Sequence, residues 1–301
     1  MLPTARARRP VLLIVGCGDI GLRVLRLLHR RWRVLALTSS PARVGELRAA
    51  GALPLCGDLD DATSLGRLAA LADAVLHLAP PPGQGGVDTR TRHLLQALGR
   101  SARVRCLVYA STTGVYGDAD GARFDETRAR RPATDRARRR VDAEDRVRHH
   151  GRAHGVRVSV LRVPGIYALD RPGGDPRERV RRGAPVLVPQ DDVFTNHIHA
   201  DDLARACVAA LQWGAPQRVY HVSDGSELRM GDHFDGVADA FGLPRPPRIT
   251  REEAVRALSS AQMSFLTESR RLDNRRLRKE LRVRLLFPHP AAAWAVATDR
   301  R

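Results

Sequence analysis

Lysine is almost missing from this chain of 301 residues: Lys279 stands alone, and the other 50 of its 51 basic residues are arginines. Against 33 acidic residues that leaves a formal charge of +18. Such an excess could serve an acidic partner, but so uniform a choice of arginine fits a compositional bias of the coding DNA better than a purpose-built patch. Aromatic residues make up 4%, too few for a surface that stacks bases, so nucleic acid is not an expected partner. No apolar run approaches the roughly 18 residues needed to cross a bilayer, and no membrane partner is expected either. The four cysteines, Cys17, Cys56, Cys106 and Cys207, are far apart and form no C-x-x-C pair. They read as buried reduced thiols of a cytoplasmic protein. Arg6, Arg8 and Arg9 precede the apolar Val11–Val15, and Ile14-Val-Gly-Cys17 resembles a lipoprotein cleavage box. The apolar stretch is nonetheless shorter than a secretory core of about 7–15 residues, and the pattern after Cys17 runs on as a structural motif.

A hydrophobic fraction of 43% excludes a disordered chain, and the length suits one large α/β domain or two closely joined ones. Short apolar runs at 11–15, 33–38, 53–56, 74–78, 105–110 and 156–161 alternate with helix-period segments. That is the pattern of βαβ units building a parallel sheet. Between the first two runs, Ile20, Val24, Leu27 and Leu28 share one helical face and Arg23, Arg26 and Arg30 another. The expected architecture is a Rossmann-type, doubly wound parallel α/β sheet with a smaller C-terminal substrate lobe. Residues 1–10 read as a mobile tail, 11–165 as the nucleotide-binding domain and 166–301 mainly as the substrate lobe, with 197–213 returning to the first domain. No repeat of solenoid or propeller period is present.

The sharpest signal is Gly16-Cys-Gly18-Asp-Ile-Gly21, directly after the first strand and opening the first helix. In that context Gly16 permits a tight turn, Gly18 lets backbone approach a pyrophosphate, and Gly21 allows close packing of helix on strand. The amides of Asp19, Ile20 and Gly21 and the positive end of the helix dipole would face the phosphates. Asp19 is an awkward neighbour for an anion, so its carboxylate is expected to point away. An acid at the end of the second strand would hold the ribose 2′-OH of NAD. The chain instead reads Thr38-Ser39-Ser40-Pro-Ala-Arg43, hydroxyls with a cation nearby, which favours NADP, with NAD the other choice.

Further along stand Gly57-Asp58-Leu59, Val75-Leu-His-Leu-Ala79 and Val108-Tyr-Ala-Ser-Thr-Thr-Gly-Val-Tyr-Gly117, followed by Leu161-Arg-Val-Pro-Gly-Ile-Tyr167, His197-Ile-His-Ala-Asp-Asp-Leu203 and Val219-Tyr-His-Val-Ser-Asp224. In this order they resemble the extended or atypical short-chain dehydrogenase/reductases, the NAD-dependent epimerase/dehydratase superfamily, over nearly the whole chain from Val11. The resemblance implies an oxidoreductase or epimerase. It also implies that Asp58 and Leu59 meet the adenine, that Ala79 lies along the ribose and phosphate path, and that Pro164 flanks the nicotinamide.

Members of that group pair a Ser or Thr with a Tyr-x-x-x-Lys on the following long helix. Thr112 fills the first position. Counted from Pro132, with Glu144 as the check, Arg136 and Arg140 fall in the Tyr and Lys slots. Arg140 could still reach a ribose as a cation, but a guanidinium holds its proton beyond about pH 12 and Arg136 cannot act as a general acid. Tyr116 and Tyr167 are the substitute phenols. The substrate implied is a small molecule, anionic if Arg136 binds it; an inactive NADP-binding regulatory protein is the alternative. Thr113 and Gly114 stand where sugar-nucleotide dehydratases of the group carry acids, so that subclass is not expected. His197, His199, Asp201 and Asp202 lack a third ligand at fixed geometry and no metal is expected; Asp201 reads as a helix N-cap. The arginines of 128–152 read as a solvated helix face laced by i,i+4 pairs such as Arg140/Glu144, and those of 270–284 as a surface helix.

Overall fold

The apolar runs become strands because each is short, branched or leucine-rich, and closed by glycine or a polar turn. In the computed structural model, which describes residues 8–28, 31–258, 262–263 and 266–298, the chain divides into two compact units. Residues 1–7 of the expected tail lie outside the described residues. The first unit takes residues 1–110, 139–160 and 207–218, and the second 111–138, 161–206 and 219–301.

In chain order the elements begin with β1 (Val11–Val15), α1 (Asp19–Leu28), β2 (Arg33–Thr38), α2 (Val44–Ala49), β3 (Leu53–Cys56), β4 (Ala74–His77), α3 (Thr89–Leu98) and β5 (Cys106–Thr112). They continue with β6 (Arg123–Phe124), α4 (Asp135–His154), β7 (Arg157–Val163), β8 (Gly165–Tyr167), α5 (Pro176–Arg181), β9 (Val186–Leu187), β10 (His197–His199), α6 (Ala200–Trp213) and β11 (Arg218–His221). The last are α7 (Met230–Phe241), β12 (Arg248–Ile249), α8 (Arg251–Ala257), β13 (Arg271–Leu272), α9 (Arg275–Lys279) and α10 (Pro290–Thr298).

The central sheet is seven-stranded in the order β11-β7-β5-β4-β1-β2-β3. Its strands are parallel, with Leu13 opposite Leu35 on one side and Val75 on the other. This is the doubly wound Rossmann-type arrangement. The order of connection reverses between β1 and β4, the topological switch point beyond whose strand ends such sheets bind ligands. All five residues of β1 are buried, as a strand covered on both faces requires.

Helix α1 differs from the expected division of faces. Ile20, Val24 and Leu28 are buried, but so is Arg23, while Leu27 is exposed. Arg23 can be buried because its Nε lies 3.1 Å from the Asp19 carboxylate one turn earlier, and a paired guanidinium loses much less on leaving water than a lone one.

The second unit is built from short strand pairs, β8 with β10, β9 with β12 and β6 with β13, all parallel. Its core gathers Tyr167, Leu187, Phe234, Val237 and Trp294. The start of α6 corrects the expected cap. Asp201 lies inside the helix, and the ring Nδ1 of His199 accepts its backbone N–H at 3.2 Å. Asp202, fully buried, accepts the backbone N–H groups of Leu286 and Phe287 at 2.8 and 2.9 Å, tying the approach to α10 onto α6.

Candidate functional site

In the first unit, the three glycines of the turn stand in three different environments. Gly16 has φ of +83°, and a side chain there would come within 2.5 Å of the Ala79 backbone nitrogen. The same turn is held by Leu78 and Ala79, which both donate to Val15 O, at 2.8 and 3.0 Å. A side chain at Gly21 would meet Cys17 Sγ at 2.9 Å and Ile14 at 3.5 Å, so this glycine sets the distance between helix and strand. At Gly18 a Cβ meets no atom within 4 Å. Packing does not demand a glycine there; close approach by a phosphate group would. The first i→i−4 bond of α1 runs from Leu22 N to Gly18 O at 2.9 Å, so the amides of Asp19, Ile20 and Gly21 precede the helical ladder, at the positive end of the helix dipole where anions bind. Asp19 is turned to Arg23 by the ion pair described above. The residues present therefore fit the pyrophosphate of a dinucleotide.

The specificity end is more contested. Thr38 closes on its own turn, its Oγ1 accepting the Ser40 N–H at 3.2 Å, while Ser39 is exposed. Arg43 Nε lies 2.8 Å from Glu46, an acid that stands beyond the end of the second strand, three residues after Arg43. Asp58 accepts the Asp60 N–H at 2.9 Å, Leu59 O accepts from His93 Nδ1 at 2.8 Å, and Asp60 pairs with Arg90 at 2.6 Å. That turn is thus fixed from within.

Arg140 also belongs to the first unit. Its guanidinium donates from one nitrogen to Ala110 O at 2.8 Å and to the Tyr109 hydroxyl at 3.1 Å, so it is anchored on β5. Beneath it, His77 faces Thr91 Oγ1 at 2.9 Å, and Thr91 donates to Asp88 at 2.7 Å. Burial, with the charge of Arg140, pushes His77 down to about 3 and keeps it neutral. Glu144, expected on a solvated face, is fully buried.

In the second unit a cleft of about 490 Å³ brings together Thr112, Arg136, Pro164, Arg179, His197 and Arg270. Thr112 accepts the Gly114 N–H at 3.2 Å through Oγ1, leaving its own hydroxyl hydrogen free to be donated. Arg270 is matched to Glu268 at 2.6 Å. Arg179 is different: it donates to Pro185 O at 3.1 Å and covers the Phe234 ring at 4.6 Å, and no carboxylate among the described residues pairs with it. Burial and the neighbouring Arg182 hold its pKa below the ordinary guanidinium value. Sequence reasoning passed over Arg179 because nothing distinguishes it among 50 arginines.

The two substitute phenols are not in this cleft. Tyr116 donates to His221 Nε2 at 2.5 Å and accepts from Arg162 at 2.6 Å, while His221 Nδ1 donates to Asp273 O at 3.0 Å. Its proton is committed to a buried chain. Tyr167 is buried beside His199 and Trp294, and burial with the charges of Asp224 and Asp202 pushes its hydroxyl well above the ordinary range. Among the described residues, no group of three or more His, Cys, Asp or Glu side chains is placed to hold a metal ion.

The sequence matches the profile of the "NAD dependent epimerase/dehydratase family" over residues 12–223. Protein YeeZ of Escherichia coli K12 is 26% identical over 245 residues, covering 77% of this chain and 84% of that protein. A dTDP-glucose 4,6-dehydratase of Mycolicibacterium smegmatis is 32% identical over 276 residues, covering 75% and 80%. Among solved structures, a functionally unknown conserved protein from Silicibacter pomeroyi superposes with a TM-score of 0.81 at 29% identity, over 97% of this chain and 99% of that one. The fold is shared with MoeE5 in complex with UDP-glucose and NAD, at a TM-score of 0.73 and 21% identity over 96% and 98% of the chains. With the glycine turn, the switch point of the sheet and the family profile in agreement, this chain belongs to the NAD-dependent epimerase/dehydratase family, as a NAD-binding, oxidoreductase-like member.

Proposed function

We propose that the protein is an NADP-preferring oxidoreductase or epimerase whose substrate is a small anionic carbonyl or hydroxyl compound. The observation that carries the substrate class is Arg179, a desolvated guanidinium without a carboxylate partner in a cleft that also presents Arg136. A half-buried cation without a carboxylate partner is partly stripped of water and gains when an anion meets it, and the planar fork of arginine suits a carboxylate or phosphate bidentately. The cleft has no acid at Thr113 or Gly114, which speaks against dehydration of a sugar nucleotide.

On this reading the amides of Asp19, Ile20 and Gly21 hold the pyrophosphate, and Ser39 and Arg43 hold the 2′-phosphate. When bound, the nicotinamide supplies or takes up a hydride. Thr112 donates its hydroxyl hydrogen to the substrate oxygen, and Arg179 with Arg136 fixes the anionic end. The cationic wall also keeps the reacting group from turning over in the cleft, since the reverse orientation would strand a charge.

The preference for NADP is a competition at Arg43, where Glu46 already takes Nε. Arg43→Ala should weaken NADPH binding selectively and Glu46→Gln should strengthen it, both read by fluorescence titration against NADH. Equal affinity of the parent for the two cofactors would reject the preference. For the substrate class, Arg179→Ala should raise KM for 4-carboxybenzaldehyde at least tenfold, about 1.4 kcal/mol, while leaving benzaldehyde unaffected. An equal effect on both aldehydes would remove the anion from the proposal.

A second reading is a nucleotide-binding regulator without turnover, and one observation favours it: neither Tyr116 nor Tyr167 reaches the cleft. Tight NADPH binding without oxidation of NADPH by either aldehyde would select it.

A further inference from the structure

The cleft holds one more group whose chemistry neither its packing nor the family's usual residues account for. His197 lies on β10, registered opposite Gly165 on β8, and both residues line the cleft. A side chain at Gly165 would sit 3.5 Å from His197 Cδ2, so the glycine leaves the Cδ2 and Nε2 edge of the ring uncovered on that side. The opposite support is rigid. His197 stacks on His233 with centroids 3.9 Å apart and planes 18° from parallel, and Tyr167 meets it edge-on at 6.2 Å. The ring is nine-tenths buried and makes no ion pair with a carboxylate among the described residues.

Its two nitrogens are unequal. Nδ1 is buried and has no hydrogen-bond partner. Nε2 has the Thr195 hydroxyl at 3.5 Å, at the limit of a hydrogen bond, and Thr195 also lines the cleft. Placing the proton on Nδ1 would bury a donor with nothing to accept it; placing it on Nε2 points it at an oxygen acceptor and at the cleft. Among the described residues no carboxylate pairs with the ring, and burial holds its pKa down to about 4, so near neutral pH it is a fixed, uncharged donor. A neutral imidazole of this kind can polarise a carbonyl without carrying a full charge into the site.

We propose that His197, as the neutral Nε2–H tautomer held against His233, donates a hydrogen bond to the reacting oxygen of the substrate, beside Thr112. This rests on the reading of the cleft as the substrate site. It assigns a task to a histidine that the sequence pattern offered only as a metal ligand, and it supplies an oxygen-directed donor where the tyrosine slot holds Arg136.

Two measurements test it. The first needs no ligand. Long-range ¹H–¹⁵N spectra of histidine-labelled protein, assigned by difference from His197→Gln, should show His197 as the Nε2–H tautomer at neutral pH; an Nδ1–H tautomer or an imidazolium overturns the proposal. The second uses 4-acetylbenzoate labelled with ¹³C at its ketone carbon. Bound to the parent, the carbonyl signal should move downfield; His197→Gln, which keeps an N–H donor near the Nε2 position, should retain part of the shift, and His197→Phe should lose it while the aromatic ring of the probe still shows saturation transfer. A shift that survives in His197→Phe overturns the donor role. Affinity for the probe, lost on Arg179→Ala, reports separately on the anionic substrate class.

Discussion

At the scale of single residues, the turn after β1 separates a glycine needed by the fold from one that the fold does not require. Gly18 has no positive φ, and a Cβ there would meet no atom. Gly18→Val should therefore leave thermal unfolding almost unchanged while weakening NADPH binding by at least tenfold, about 1.4 kcal/mol. Gly16→Ala is the contrasting control, because φ of +83° and the Ala79 backbone at 2.5 Å oppose any side chain; it should lower the melting temperature. A Gly18→Val protein that binds NADPH as well as the parent would show that the phosphates lie elsewhere. This distinction was legible only in part. The spacing Gly16, Gly18, Gly21 identified the turn, since a strand, a glycine and a helix leave few alternatives. Which glycine served packing needed coordinates, because the opposing Ala79 is 63 positions away in sequence. Glu46 and Arg179 escaped for a related reason: a charge reveals its role through its partner, and partners are set by tertiary structure.

At the scale of elements, local signals predicted strands and α1 well but divided polar from apolar faces less well. Arg23 is buried because an ion can enter the interior when matched, here by Asp19, and Glu144 is buried as well; periodicity alone registers neither. Helix α6 shows the same limit, since its cap is an imidazole outside the usual set of capping residues. Its Asp202 makes the more consequential bond, accepting two backbone N–H groups from 286 and 287. Asp202→Ala should leave those donors unmet and cost about 1–3 kcal/mol. Urea unfolding would give the loss, and limited proteolysis should show faster cleavage near Leu286. Unchanged cleavage in a destabilised variant would place the effect inside α6 instead.

At the scale of the whole molecule, the buried imidazoles make stability depend on pH. Burial holds His77 and His221 down to about 3 and His150 and His197 down to about 4. Each is below its unfolded value near 6.5, so its contribution is full above that pH and is lost as pH falls toward the folded value. Asp224 runs the other way: burial raises it to about 7, and its contribution is present below the ordinary aspartate value and lost as pH rises through 7. The buried carboxyls of Glu126, Asp192 and Asp202 are also raised. His233 is likewise held well below 6.5 by burial and by the neighbouring His197 and Arg179. Five strongly shifted imidazoles against one comparably shifted carboxyl give a net loss of stability from about pH 6.5 to about pH 5, each imidazole supplying up to about 1.4 kcal/mol per pH unit. Calorimetry across that range should show the melting temperature falling on acidification, and a flat profile would mean the histidines are hydrated in solution. The opposing group can be isolated with Asp224→Asn, whose stability advantage over the parent should grow between about pH 4 and about pH 7.

Helix α9 has a practical consequence that follows from the shortage of lysine. Lys279 is exposed at its end, and apart from the chain's own amino terminus it is the single amine available to acylating reagents. Two residues earlier Leu277 is fully buried, and Arg276 pairs with Glu126 at 3.2 Å, whose other oxygen receives the His221 backbone N–H at 2.9 Å. A dye attached at Lys279 would thus sit on a short helix clamped to the buried chain of Tyr116, His221 and Asp273. Without engineering any new attachment point, its emission could follow the protonation of that chain in real time.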